Sequence, residues 1–296
     1  MLHYLALHHS MLPRMPISLP FAAFAAFIAL SACRPAPVIP IPGKPEPAIS
    51  PVIAPSPTEP SPSAPAVSIS PPARAVISRK TLSGIKFEGV SFDSRSHQLL
   101  VVDQAKGPGS EFATSADAAR TNRALLAINA GFFTPEGKPL GLVVSNGKSA
   151  GAWNSASSLG NGIYRESSAG AASISRRGSR SVTSDAMQLL QAGPLLLENG
   201  NKISGLNRSK TALRSILLTD GGNRWWIGKT SPCTLAALGS ALGSGSPAPW
   251  KAQNALNLDG GRSTDLFISS SIPGGPVNRR GFLNRPVRNF LILKRR

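Results

Sequence analysis

Two segments more than a hundred residues apart combine glycines with polar side chains: Asn129-Ala130-Gly131-Phe132-Phe133 and Leu256-Asn257-Leu258-Asp259-Gly260-Gly261-Arg262-Ser263-Thr264. Each leaves a short apolar run and breaks into small residues, which lets backbone N–H groups approach an anionic ligand closely. In the second segment Leu256 and Leu258 alternate with Asn257 and Asp259 as in a strand, and Gly260 and Gly261 permit the turn that follows. Asp259 then stands at a strand end, where a carboxylate is well placed to do chemistry. A plain hairpin turn uses the same Asp-Gly-Gly letters, and Asp220-Gly221-Gly222, between Leu218 and Trp225, is read as such a turn.

Scarcity of other reactive groups narrows the chemistry. The chain has 2 cysteines, Cys33 and Cys233, and 4 histidines, of which only His97 follows the N-terminal apolar region. There is no His-x-His, His-Glu-x-x-His or paired Cys-x-x-Cys for zinc and no Walker loop. Cys233 reads as a small apolar core residue at a helix start rather than a thiolate nucleophile. No cofactor is implied, while a hard divalent cation such as calcium, held by Asp, Asn and backbone oxygens, stays compatible with the composition. Proton and charge work falls to carboxylate, arginine and backbone.

The charge balance agrees. Lys and Arg total 32 against 14 Asp and Glu, a formal net charge of +18. Such an excess favours anionic partners, although runs such as Arg176-Arg177 and Lys294-Arg295-Arg296 also suit a solvated surface. With 6% aromatic residues there is little to stack on bases, so nucleic acid is not expected as a partner.

The elements that must position these residues lie in the last three quarters of the chain. Short apolar runs predict strands at Leu99 to Val102, Ala124 to Ile128, Leu140 to Val144, Leu189 to Leu197, Ser215 to Leu218, Trp225 to Ile227, Ala255 to Leu258, Leu266 to Ser269 and Asn289 to Leu293. Helices are expected at Ser115 to Asn122, capped by Thr114 or Ser115, and at Thr234 to Leu242 after Pro232. The fold class is α+β, a strand-rich single globular domain with a few helices over residues 76–296.

The N-terminal part reads as an export and anchoring device. Residues 1–33 form a lipoprotein-type signal peptide, with an apolar core from Ile17 to Leu30 and the sequence Leu30-Ser31-Ala32-Cys33, in which Cys33 is the acylation site. If Cys33 is lipidated the protein is anchored to the bacterial cell envelope, facing the periplasm; if it is not, the protein is secreted. Residues 34–75 are a proline-rich tether among Ala, Ser, Val and Ile, which cannot pack a core and prefers extended polyproline conformations.

The chain resembles the phosphodiester glycosidase family. The resemblance rests on Asn129 to Phe133 with the following Gly131, Pro135 and Gly137, on Gln191 to Gly200, on Arg214, on Leu256 to Thr264 and on Arg285 to Leu293. It departs from the family where Ala130 and Arg262 replace glycines. The resemblance implies cleavage of the bond between a sugar's anomeric carbon and a phosphodiester oxygen, with Asp259 as the catalytic carboxylate and Arg214 and Arg288 as phosphate clamps. Gly260, Gly261 and Ser263 would form the anion nest, flanked by Thr264. Asn129 and Gln191 would orient the ligand, beside Gly131, and Phe132 or Phe133 would pack on a sugar face, the other being core. Arg262 would add a phosphate contact or fill space that a larger sugar needs. Arg288 is equally suited to a structural salt bridge with Asp265 or another acid. The expected partner is a sugar-phosphate or phosphoglycan; the alternative is a tethered binding domain for anionic envelope glycans that lacks the chemistry.

Overall fold

Short apolar runs divided by glycine, proline and serine form strands throughout residues 73–178 and 183–296, the residues described by the computed structural model. The expected signal peptide, Cys33 and nearly all of the tether lie outside the described residues. In chain order the first strands are β1 (Val76–Leu82), β2 (Ile85–Asp93), β3 (His97–Asp103), β4 (Leu126–Asn129), β5 (Val143–Ser145), β6 (Lys148–Ala150), β7 (Gly162–Ser167) and β8 (Ala172–Arg176). Then come β9 (Ala186–Ala192), β10 (Leu195–Glu198), β11 (Asn201–Lys202), β12 (Ser215–Thr219), β13 (Arg224–Thr230), β14 (Asn254–Asn257), β15 (Asp265–Ile268), β16 (Val277–Arg280) and β17 (Asn289–Arg295). Two helices, α1 (Ser115–Thr121) and α2 (Leu235–Ser244), complete the strand-rich α+β domain. Thr114 and Thr234 cap them, their hydroxyls accepting from Asp117 N–H and Ala237 N–H.

Three antiparallel sheets result. The first has the order β1-β2-β13-β12-β14-β10-β11, the second β16-β15-β4-β17-β3 and the third β6-β5-β9-β7-β8. The run Leu189 to Leu197, expected as one strand, is two: Gly193-Pro194 divides it, so that β9 joins the third sheet and β10 the first. A proline lacks the N–H that a continued central ladder needs, so it marks the point where the chain changes sheets. Asp220-Gly221-Gly222 is the β12–β13 hairpin turn, with the Asp220 carboxylate accepting from Gly222 N–H at 2.8 Å.

Alternation along the strands sorts the core into layers. Across the first sheet Ile77, Val90, Ile227, Leu217 and Leu256 are cross-strand neighbours, and this apolar row faces Leu126, Ile128 and Leu266 of the second sheet. Ile216, Leu218 and Trp226 point the other way and bury against Leu238, Ala241 and Leu242 of α2. Helix α1 lays Ala116, Ala118 and Ala119 on the opposite side of the second sheet, beside Phe290 and Ile292. The buried leucines and isoleucines each contribute on the order of 2 kcal/mol of transfer free energy.

Candidate active site

The two glycine-bearing segments meet. As β14 ends, the chain leaves the first sheet: Leu258 N–H still donates to the Ser215 carbonyl at 2.8 Å, while Asp259 N–H donates to the Ala130 carbonyl, also at 2.8 Å, next to the end of β4 in the second sheet. Asn129 fixes this crossing. Its amide nitrogen donates to the Asp259 carbonyl oxygen at 2.7 Å, and its amide oxygen accepts from the Ser215 hydroxyl at 2.6 Å and from Asp265 N–H at 3.2 Å. Asn129 is fully buried with its hydrogen-bonding groups engaged by the protein, so it positions the Asp259 turn instead of contacting sugar or phosphate as expected.

The turn itself is built by glycine for two different reasons. A Cβ on Gly260 would sit 2.5 Å from the Leu213 carbonyl oxygen, because the turn packs on the chain entering β12; Gly261 has φ +60°, the left-handed region. Gly261 N–H donates to the same Leu213 carbonyl at 2.9 Å. A short 3-10 turn over Gly261–Ser263 follows. Gly260 N–H donates to Oδ1 of Asp259 at 2.8 Å, so part of the expected nest serves the carboxylate itself. Burial pushes the Asp259 carboxyl up to about 6, against the Ser263 hydroxyl, the Gly260 N–H and the charge of Lys210, which all favour ionisation. Asp259 is thereby an ionised but unusually basic carboxylate near neutral pH.

Arg214 precedes β12 and is buried. Its Nη2 donates to the Lys210 carbonyl at 2.7 Å and its Nε to the Cys233 carbonyl at 3.2 Å. Among the described residues no carboxylate forms an ion pair with it, and burial lowers its proton affinity. It therefore brings an uncompensated positive charge to the β12 entry, and it holds the backbone of Lys210, the cation that acts on Asp259. Lys210 was not singled out from sequence; its place in the loop leading to Arg214 was the available signal.

Other expected ligands have different duties. Arg288 is not a free phosphate clamp: its Nε and Nη2 make a paired contact with Asp103 at 2.9 and 2.8 Å, and Nη1 donates to the Gly137 carbonyl at 3.1 Å. This is the structural salt bridge, with Asp103 as the acid, while Asp265 bonds Arg280 and accepts from the Ser115 N–H and hydroxyl. Gln191 does not face a ligand. Its side-chain oxygen accepts from Leu142 and Asn154 N–H at 3.0 and 2.9 Å, and its amide donates to the Asn154 and Gly160 carbonyls at 2.8 Å each. Thr264 is buried, with its carbonyl held by Asn284.

Arg262 is exposed and its Nε donates to the Leu283 carbonyl at 3.1 Å, which turns the side chain onto the 281–286 loop. Phe133 packs against the α1 cluster, and partly buried Phe132 follows two residues after Ala130, whose carbonyl receives the Asp259 N–H. Gly131 N–H donates to Oδ1 of Asn289 at 2.6 Å, a positioning contact that sequence reasoning missed because Asn289 reads as the start of an apolar strand. Cys233 is a buried free thiol in the α2 layer, pushed up by burial, and His97 lies in β3 with Nδ1 2.9 Å from the Ser96 hydroxyl.

A basic carboxylate, a lysine whose charge acts on it and a buried guanidinium with no counter-ion among the described residues, arranged around a glycine turn, suit chemistry on an anionic substrate in which charge develops at a sugar carbon and at phosphate oxygens. Solved structures with a similar fold include the catalytic domain of zebrafish N-acetylglucosamine-1-phosphodiester alpha-N-acetylglucosaminidase, auto-inhibited by its pro-peptide. That domain is 19% identical, with a TM-score of 0.55 over 77% of this chain and 85% of that one. A hypothetical protein from Synechocystis matches at 17% identity and a TM-score of 0.50, over 74% of this chain and 61% of that one. Identities this low speak for the fold alone. Among curated proteins none matches the sequence. Residues 122–294, more than half of the chain, match the phosphodiester glycosidase family, and the chain belongs to that family.

Proposed function

We propose that this protein is an exported hydrolase that cleaves the glycosidic bond between a sugar's anomeric carbon and a phosphodiester in an envelope or extracellular glycan. The observation that carries the reading is the Asp259 carboxyl, raised to about 6 at the tip of a turn locked by Asn129, with the Lys210 charge beside it. Phosphate is a good leaving group, so positive charge substitutes for the general acid that an alkoxide would need. Lys210 and Arg214 receive the charge building on the departing phosphate, and ionised Asp259 supports the oxocarbenium-like carbon or activates water. Phe132 offers an apolar face to the sugar.

A signal peptide over residues 1–33 with acylation at Cys33, followed by the tether over residues 34–75, would anchor the domain to the cell envelope facing the periplasm; without acylation the protein would be secreted. The test is release of free sugar from a panel of sugar-1-phosphodiesters by the purified protein, beside an Asp259→Asn control. Turnover that the control abolishes supports the hydrolase. No turnover across the panel from folded protein would favour the non-catalytic, anion-binding alternative.

A further inference from the structure

The apolar row that fills the space between the first two sheets changes character two residues further along each strand, toward the end where Asp259 lies. Ile77, Val90, Ile227 and Leu217 give way to Arg79, Glu88, Lys229 and Ser215, again cross-strand neighbours and on the same face. Ser215 is the residue whose hydroxyl holds Asn129. The polar row thus starts at the support of the catalytic turn and runs outward to the sheet edge.

A groove of ≈ 440 Å³ lies at the outer part of this row. Arg79, Lys80, Lys86 and Lys229 line it from the first sheet and Arg279 of β16 from the second, Lys80 being turned to the Ser246 carbonyl. A single carboxylate, Glu88, stands among these five cations. It is shared by Arg79 at 2.8 Å and Arg279 at 2.7 Å, and although burial raises Glu88, the two arginines hold its carboxyl below the usual range. Lys86 and Lys229 form no ion pair among the described residues. Lys229 is half-buried, and burial lowers its proton affinity, which an arriving anion would restore. Thr230, on the wall of the groove, donates its N–H to the Arg214 carbonyl at 2.8 Å, so the groove adjoins the strand that carries the buried guanidinium.

Resting on the proposed function, we infer that this groove is a second phosphate subsite, and that the substrate is a glycan chain bearing more than one phosphate. From β14 to β2 is three strand spacings, so the groove centre lies roughly 15 Å from Asp259, about the separation of phosphates one or two sugar units apart. A cavity of this size accepts a phosphate with part of its attached sugar. The groove raises affinity for the chain without touching the scissile bond.

Inorganic tripolyphosphate is the probe for the groove itself, titrated calorimetrically into wild type, Lys86→Gln/Lys229→Gln and Arg214→Gln. The expected result is two binding events in wild type, one of them weakened at least tenfold in the double variant and that same event kept within about threefold in Arg214→Gln. Unchanged affinity in the double variant overturns the inference. Lys86→Glu, at an exposed position, repeats the test where the half-buried Lys229 is intact and folding is not at risk. In kinetics, the double variant raises KM about tenfold on an oligomeric sugar-phosphate chain and leaves kcat, and both constants on a single sugar-1-phosphodiester, unchanged; an equal rise on both substrates overturns the inference. If wild type turns over neither substrate, the proposed reaction fails while tripolyphosphate binding still decides the groove. Retention on phosphatidylglycerol vesicles without tripolyphosphate affinity would make the groove a lipid-headgroup surface and overturn the subsite.

Discussion

The Asn129 side-chain amide donates to the Asp259 backbone carbonyl across 2.7 Å, joining the end of β4 in one sheet to the Asp-Gly-Gly turn that leaves another. Replacing Asn129 by alanine would leave the Ser215 hydroxyl, the Asp265 N–H and the Asp259 carbonyl without their partner. Buried groups orphaned in this way cost about 1–3 kcal/mol each before relaxation, so a loss of roughly 3 kcal/mol is expected in denaturant unfolding. Because Asn129 positions the turn, kcat should fall at least tenfold with KM little changed. Asn129→Asp should be as damaging near neutral pH, since a carboxylate cannot donate to the Asp259 carbonyl.

Asp259 gives a pH signature with two opposite signs. In the folded chain its carboxyl binds a proton more tightly than in the unfolded chain, about 6 against 3.8, so its stabilising contribution is full below about pH 4 and is lost as pH rises to about 6. Asp259→Asn should therefore raise stability at pH 7.5, by on the order of 3 kcal/mol, and leave it nearly unchanged at pH 3.5. Activity runs the other way. The rate should climb with pH to a plateau above an apparent pKa near 6, and the Asn variant should lose at least a thousandfold in kcat at the plateau. Thermal melts at the two pH values and a kcat/KM profile check both.

How much of this was legible in the sequence depends on whether a residue's partner is local. The two glycine segments, the Asp220 hairpin turn and the threonine-capped helices depend on neighbours in the chain, and they stand where the pattern put them. Gln191, Asn129 and Arg288 depend on partners from 31 to 185 residues away, and no spacing rule distinguishes a buried amide serving the backbone from one serving a ligand. The strand carrying Glu88 escapes the pattern for a related reason: Gly89 interrupts its apolar run, and the space for a Cβ there is taken by β13, whose Ile227 carbonyl oxygen and Trp226 ring would lie 2.3 and 2.6 Å away.

Arg288 and Arg214 should separate cleanly on mutation. Arg288→Ala breaks a buried pair and strands the Asp103 carboxylate, for an expected loss of about 3–5 kcal/mol. Adding Asp103→Ala should recover part of that loss, and the double-mutant cycle measures the coupling. Among the described residues Arg214 has no carboxylate to strand, and burial already opposes its charge. Arg214→Lys should then change stability by less than about 2 kcal/mol while cutting kcat/KM at least tenfold, because lysine cannot span the Lys210 and Cys233 carbonyls and still present a donor.

Gly260 and Gly261 sit side by side in the turn after Asp259 and should respond differently to alanine. At Gly261 the difficulty is backbone conformation: at φ +60° a Cβ costs about 1 kcal/mol, and the space around it is open, the nearest atom being the Ala212 Cβ at 4.0 Å. Gly261→Ala should lower stability by about that amount and keep most of the activity. At Gly260 the difficulty is space. Its Cβ would lie 2.5 Å from the Leu213 carbonyl oxygen, which already accepts from Gly261 N–H and cannot swing aside without moving the entry to β12. The turn must lift instead, carrying Gly260 N–H away from the Asp259 carboxylate and shifting the carboxylate relative to Lys210. Gly260→Ala should therefore reduce kcat at least a hundredfold and move the apparent pKa of the acidic limb above 6, since the Gly260 hydrogen bond that favours ionisation is weakened. An acidic limb that stays in place with full activity would mean that the turn tolerates the displacement and that the Gly260 contact does not set the carboxylate.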